Sequence, residues 1–165
     1  MIFWFFGYPG IGKDYVAARL GQLTSIPHIN ADRFLTEEER NKLAAGTFTA
    51  SERLNKLKRV TDYLENIEED IAIADSLPDN SSREFLRDRF KDQILFILVT
   101  ASQEAHEKRI KNRKGHFFTW EMLKDYVEKH WQALGDFPYL VLKNENLNED
   151  DLKMELLKIY EASPK

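Results

Sequence analysis

Cysteine is absent from the 165 residues. That excludes a disulfide scaffold, a thiolate metal site and a cysteine nucleophile, and a chain with no disulfides to protect suits a reducing cytoplasm. A basic excess is lacking too. Lys and Arg number 24 against 28 Asp and Glu, a net charge of -4, so a general nucleic-acid binder is disfavoured and no nucleic-acid partner is expected. No apolar run approaches the ~20 residues of a membrane span. The run Ile2–Phe6 stops at Gly7, with no basic segment before it, so neither a leader peptide nor a membrane partner is expected. Low-complexity stretches and solenoid-period repeats are missing as well. What is present is 42% hydrophobic and 12% aromatic residues, too apolar for disorder and long enough for one domain over 1–165 with a core of its own.

The apolar residues alternate in style along the chain. Ile2–Phe6, Ile71–Ala74, Ile94–Val99 and Tyr139–Leu142 are apolar at almost every position, and Pro27–Asn30 is a shorter fifth candidate. Such runs predict strands buried on both faces, as in a parallel sheet covered by helices. Between them lie polar stretches with helical spacing. Lys13–Leu23 follows a Gly-rich turn. Ser51–Glu68, with Ser51 as N-cap, carries Leu54, Leu57, Val60, Leu64 and Ile67 on one face. Helices are also predicted at Phe34–Ala45, Ser82–Phe90, Ser102–Lys111, Trp120–Trp131 after Thr119, and Glu149–Glu161. The alternation predicts a doubly wound α/β domain with right-handed crossovers, whose ligands bind outside the carboxyl ends of the strands.

Gly7-Tyr8-Pro9-Gly10-Ile11-Gly12-Lys13 matches the first seven positions of the phosphate-loop pattern, and it lies between a predicted strand and a predicted helix. Glycines let backbone N–H groups turn inward on phosphate oxygens, the helix dipole favours the same charge, and Lys13 adds a point charge. The alternative is an ordinary Gly-Pro turn. The loop and the following Asp14 and Tyr15 are candidate ATP-binding residues. Asp14 stands where the pattern has Ser or Thr, whose hydroxyl ligates Mg²⁺. A carboxylate is itself a hard Mg²⁺ ligand, yet Asp in a first helical turn also suits the dipole and capping, so both roles stay open. Asp32, at the end of the Pro27–Asn30 run, has the chemistry to accept a proton from a hydroxyl, and it is equally an N-cap candidate for Phe34–Ala45. Asp75 ends an apolar run, the form of a second metal-coordinating element. Lys108–Lys114 holds five basic residues and no acidic one. Arg109 and Arg113 are four apart and so share a helix side, and Gly115 supplies a hinge.

These pieces, in this order, resemble the small phosphate-loop kinases of metabolites. Gluconokinase is the closest in kind, with shikimate kinase and adenylylsulfate kinase more distant. The resemblance runs from Ile2 to about Leu142. It is carried by the phosphate loop, by His28-Ile29-Asn30-Ala31-Asp32, by Arg40–Thr49, by Ala74–Leu77 with Ser82–Arg87, and most specifically by Arg109-Ile110-Lys111-Asn112-Arg113-Lys114-Gly115-His116-Phe117-Phe118.

The resemblance implies a three-layer phosphate-loop NTPase fold, with a five-stranded, mostly parallel sheet, helices on both faces and a small mobile lid near 108–120. It implies ATP and Mg²⁺ as cofactors and a small-molecule substrate, a sugar acid for choice. It implies catalytic roles for Lys13, Asp32, Arg109 and Arg113, with one arginine on the phosphates and the other on adenine. Substrate contacts are expected from Asp32, Arg33, Arg53 and Arg83, since an anionic acceptor needs arginine. Asn30 occupies the place of the family's first acid on the second strand. The metal-site acid is therefore expected at Asp14, Asp75 or both. Another acceptor, such as a shikimate-like compound, a nucleotide or a phosphorylated alcohol, stays open, and so does a non-catalytic nucleotide-binding regulator. Composition says nothing of oligomeric state.

Overall fold

The computed structural model describes residues 1–112, 119–145 and 148–163. Five strands form one sheet: β1 (Ile2–Phe6), β2 (His28–Asn30), β3 (Ile71–Ala74), β4 (Ile94–Thr100) and β5 (Leu140–Lys143). Their spatial order is β2-β3-β1-β4-β5, and every pairing is parallel. The helices are α1 (Lys13–Thr24), α2 (Glu37–Ala44), α3 (Ala50–Leu64), α4 (Asn80–Phe90), α5 (Gln103–Asn112), α6 (Trp120–His130) and α7 (Glu149–Glu161). This is the α/β architecture the alternation predicts.

The central strand explains why the sheet needs cover on both sides. All five residues of β1 are buried. Side chains alternate across a strand, so Trp4 and Phe6 pack with Leu57, Val60, Leu86 and Phe90 of α3 and α4, while Phe3 and Phe5 pack with Val16, Leu20, Leu156 and Ile159 of α1 and α7. The edge strands β2 and β5 depart furthest from full burial, with Asn30 exposed in β2 and Val141 53% exposed in β5, because an edge strand has a neighbour on one side alone.

Three helix starts differ from the sequence reading. α3 is capped by Thr49, not Ser51. The Thr49 hydroxyl accepts from Glu52 N–H at 3.2 Å and Glu52 Oε2 accepts from Thr49 N–H at 2.9 Å, a reciprocal capping box. The helix also ends at Leu64 rather than Glu68. α4 begins at Asn80 because Asp79 caps it, accepting from Ser82 N–H at 2.8 Å. The expected Phe34–Ala45 helix divides into a 3-10 turn, Ala31–Phe34, and α2, whose cap is Thr36. Ser102 and Thr119 take capping roles at α5 and α6, where their hydroxyls accept from Ala105 and Met122 N–H.

Candidate phosphate-binding and acceptor cleft

The carboxyl end of β1 leads straight into the loop Gly7–Gly12 and then α1. Gly7 has φ 147°, and a β-carbon there would sit 2.6 Å from the Val99 carbonyl oxygen. Gly12 has φ 99°, and a β-carbon would run into the Asn144 amide. Both positions exclude side chains on grounds of space and backbone conformation together. Gly12 is also the N-cap of α1 and offers no side-chain cap, whereas α2, α3, α4, α6 and α7 each have one. No side chain caps the first turn of α1, where the positive end of the helix dipole lies.

Three of the loop's carbonyls are held by hydrogen bonds. Lys13 Nζ donates to Tyr8 O at 2.8 Å. The His106 ring Nε2 lies 2.8 Å from Pro9 O, which requires the Nε2–H tautomer. Arg109 donates to Ile11 O at 3.1 Å and to Asn144 O, and the Asn144 amide donates to Ile11 O at 3.0 Å. The Tyr8, Pro9 and Ile11 carbonyls are thus all engaged by donors, which lessens their repulsion of an anion at the loop. Burial pushes the His106 pKa down, and the nearby charges of Lys13 and Arg109 push it further the same way, against the Pro9 bond. The ring is therefore neutral at pH 7. Burial also draws Arg109 below the usual guanidinium value, with Glu145 opposing.

Beyond the loop lies a cleft of about 600 Å³. Of the residues expected at the site, Lys13, Asp14, Tyr15, Asp32, Arg53 and Arg109 line it, and so do Pro9, Gly10, Gly12 and Asp75. Asp32 is not a helix cap, for its own N–H donates to Asn30 Oδ1 at 2.9 Å while its side chain is exposed. Asp14 is not a cap either. Its Oδ1 lies 3.1 Å from His28 Nε2 on the rim. Gly7 and Ile11 support the loop from behind rather than line the cleft, and Ile11 packs in the core.

Two expected acceptor ligands are elsewhere. Arg83 is fully buried. Its guanidinium donates to the carbonyls of Leu77, Pro78 and Gln132 and to Asn80 Oδ1, and it stacks on Trp131. It is a strut joining α4 to the 131–134 segment. Arg33 is exposed and lies over the rings of Phe34 and Tyr63, 5.3 Å from each centroid, since the 3-10 turn carries it away from the cleft. Asp75 also has a different attachment from the one expected. Its Oδ1 accepts from Lys56 Nζ at 2.8 Å and from Ser76 N–H at 2.7 Å, so an ammonium already balances the charge assigned to a metal. Arg113, Gly115 and His116, with the rest of 113–118 in the expected lid, lie outside the described residues.

Several cleft residues escaped the sequence reading: Arg40, Lys56 and Tyr126, with Asp79 just behind. Arg53 and Asp79 form a buried ion pair at 2.7 Å. The overlooked signal was in α3. Arg53 lies four residues before Leu57 and Lys56 four before Val60, so they share the buried stripe, and Leu54 does not. Burial works against the charge of Lys56, but Asp75 and Asp32 outweigh it and hold the ammonium above its ordinary pKa.

Among the described residues no group of three or more His, Asp or Glu forms a metal cage. The oxygen donors on the cleft, Asp14 and Asp32 with phosphate and water, nonetheless suit Mg²⁺, which takes one or two carboxylates and completes its shell with phosphates and water.

No protein-family model matches the chain. A probable gluconokinase of Dictyostelium discoideum is 29% identical, over 71% of this chain and 63% of its own, so the chain spans less than two thirds of that relative. A gluconokinase of Sinorhizobium meliloti 1021 superposes with a TM-score of 0.81 at 20% identity, over 98% of this chain and 92% of the other. The adenylylsulfate kinase of Mycobacterium tuberculosis, solved with AMPPNP and APS, gives a TM-score of 0.69 at 19% identity, over 98% and 97%. Sequence likeness to gluconokinase and this superposition, taken with the open α1 N-terminus, give the chain the fold of the small phosphate-loop kinases.

Proposed function

We propose that the chain is an ATP-dependent, Mg²⁺-requiring kinase that phosphorylates a hydroxyl of a small anionic metabolite, a sugar acid such as gluconate being favoured. One observation carries the reading: the uncapped α1 N-terminus with Lys13 opens onto the same cleft as the Asp32 carboxylate and the cations Arg40, Arg53 and Lys56. Phosphoryl transfer is largely a matter of positioning and charge, and these are its parts.

In this reading the loop N–H groups and Lys13 hold the β- and γ-phosphates. Lys13 exchanges its bond to Tyr8 O for phosphate oxygen. Asp32 accepts the proton of the acceptor hydroxyl as its oxygen attacks the γ-phosphorus, and the bond to the bridging oxygen of ADP breaks. Arg109 lies at the loop, and Arg113 joins it by resemblance, to balance charge on the transferred group. Arg40 and Arg53 meet the acceptor's anionic end. Asp14 is the residue to hold Mg²⁺, and Mg²⁺ when bound supplies charge neutralisation at the phosphates. Closure of the 108–120 segment excludes water and so suppresses ATP hydrolysis.

The test is a panel of hydroxylated acceptors with Mg·ATP, read by ADP release, beside a melting curve with millimolar Mg·ATP. Turnover on a sugar acid is expected, with a stabilisation of about 3 kcal/mol if ligand is at 100 times Kd. No shift in melting temperature refutes the kinase. A shift without turnover on any acceptor favours a nucleotide-binding regulator.

A further inference from the structure

Lys56 is 3% exposed and Asp75 6%, yet both line the cleft. The ammonium spans two carboxylates, with Asp75 Oδ1 at 2.8 Å and Asp32 Oδ1 at 3.4 Å. An ammonium has three donors, so one remains beyond these two acceptors. Asp75 has the complementary shortage. Its Oδ1 accepts two hydrogen bonds, from Lys56 Nζ and Ser76 N–H, and its buried Oδ2 has no hydrogen-bond partner among the described residues. Buried carboxylate oxygens without a donor are uncommon in folded proteins, and each calls for an explanation.

The two shortages fit a single chemical group. A hydroxyl donates through its proton to Oδ2 and accepts from Nζ through a lone pair. A carboxylate or phosphate would set like charge against Oδ2, and an ammonium would set like charge against Nζ. We propose that Lys56 and Asp75 form a subsite for a second hydroxyl of the acceptor, beside the hydroxyl held at Asp32. Calling this ligand an acceptor rests on the kinase reading. Because one ammonium touches both carboxylates, the two hydroxyls are close-set, as in a vicinal diol. The acceptor class is therefore polyhydroxylated, and a simple alcohol or a monohydroxy acid is excluded. A site built to bond a hydroxyl rejects the analogue that lacks it far more strongly than an apolar pocket can, because the buried groups are then left unpaired.

The test needs no turnover. Gluconate and shikimate are titrated calorimetrically into the protein, with and without Mg·ADP, each beside its monodeoxy analogues. At least one parent is expected to bind at least about 100-fold tighter than one of its monodeoxy analogues. Lys56→Met with Asp75→Leu removes the pair together and leaves no charge buried alone. In that variant the preference is expected to fall to within about threefold, with Mg·ADP affinity unchanged. Asp75→Asn, which keeps shape and most of the packing, serves where the double variant does not fold, and is expected to lower the preference at least about tenfold. Binding of neither parent, a wild-type chain indifferent to the missing hydroxyl, or a preference that survives in the variants overturns the subsite. Loss of nucleotide binding alone refutes the kinase reading instead, because the hydroxyl preference is read without nucleotide as well.

Discussion

Arg83 is the residue for which resemblance and structure make opposite forecasts. Replacing it with Met keeps an unbranched apolar stem against Trp131 and removes the guanidinium. Two carbonyls, those of Leu77 and Gln132, have their bonds from Arg83, while Pro78 O retains the Gln132 N–H at 2.8 Å. The Leu77 carbonyl is the buried one of the two, and a buried acceptor left unpaired costs about 1–3 kcal/mol, whereas Gln132 is exposed and its carbonyl can turn to water, so the loss is about 2 kcal/mol. Leu77 adds to the strain, since it is fully buried at φ 46° and needs its surroundings to hold it in that conformation. For a chain of this size each kcal/mol moves Tm by about 2–4 °C, so Arg83→Met is expected to melt about 4–8 °C lower. Calorimetric melting of the two proteins without ligand decides it. A shift under about 3 °C, coupled with a raised KM for the acceptor, refutes the strut and restores Arg83 as an acceptor ligand.

Asp14→Ala is expected to raise the Mg²⁺ concentration for half-maximal turnover at least about tenfold, the size of effect seen when a group supporting a metal site is lost. An unchanged Mg²⁺ titration removes Asp14 from the metal site. His106 makes stability pH-dependent. Its folded pKa lies below the ordinary value of about 6.5, so the unfolded chain takes up the proton first, and stability is full above pH ~6.5 and declines as pH falls below it. Urea midpoints between pH 7 and 5 in wild type and His106→Gln read this, and equal slopes in the two proteins disprove it.

Much of this molecule was legible in the sequence because local rules agreed with one another. Apolar runs without alternation mark strands covered on both faces, and β1, β3 and β4 follow that rule. The phosphate loop was legible for the same reason, since glycine spacing, the preceding strand and the following helix all point to one conformation. Cap positions were less legible. Ser51 and Ser82 have the right side chains, but Thr49 and Asp79 stand two or three residues earlier and complete better hydrogen bonds.

The acceptor side of the cleft was decided by tertiary structure alone. Nothing local distinguishes Arg83, an arginine on a helix, from Arg53. Only the packing of α4 against residues 131–134 buries the first, and only the approach of α3 to β3 turns the second toward the cleft. Lys56 reads in sequence as a solvated lysine, yet it lies within bonding distance of Asp75 and Asp32, 19 and 24 residues away. The residues alone therefore determined a glycine-rich strand-loop-helix in a parallel sheet, because those signals lie within a few positions of each other. Which charges face the cleft, and which of them are paired, depends on contacts between distant segments, and only the folded chain brings those together.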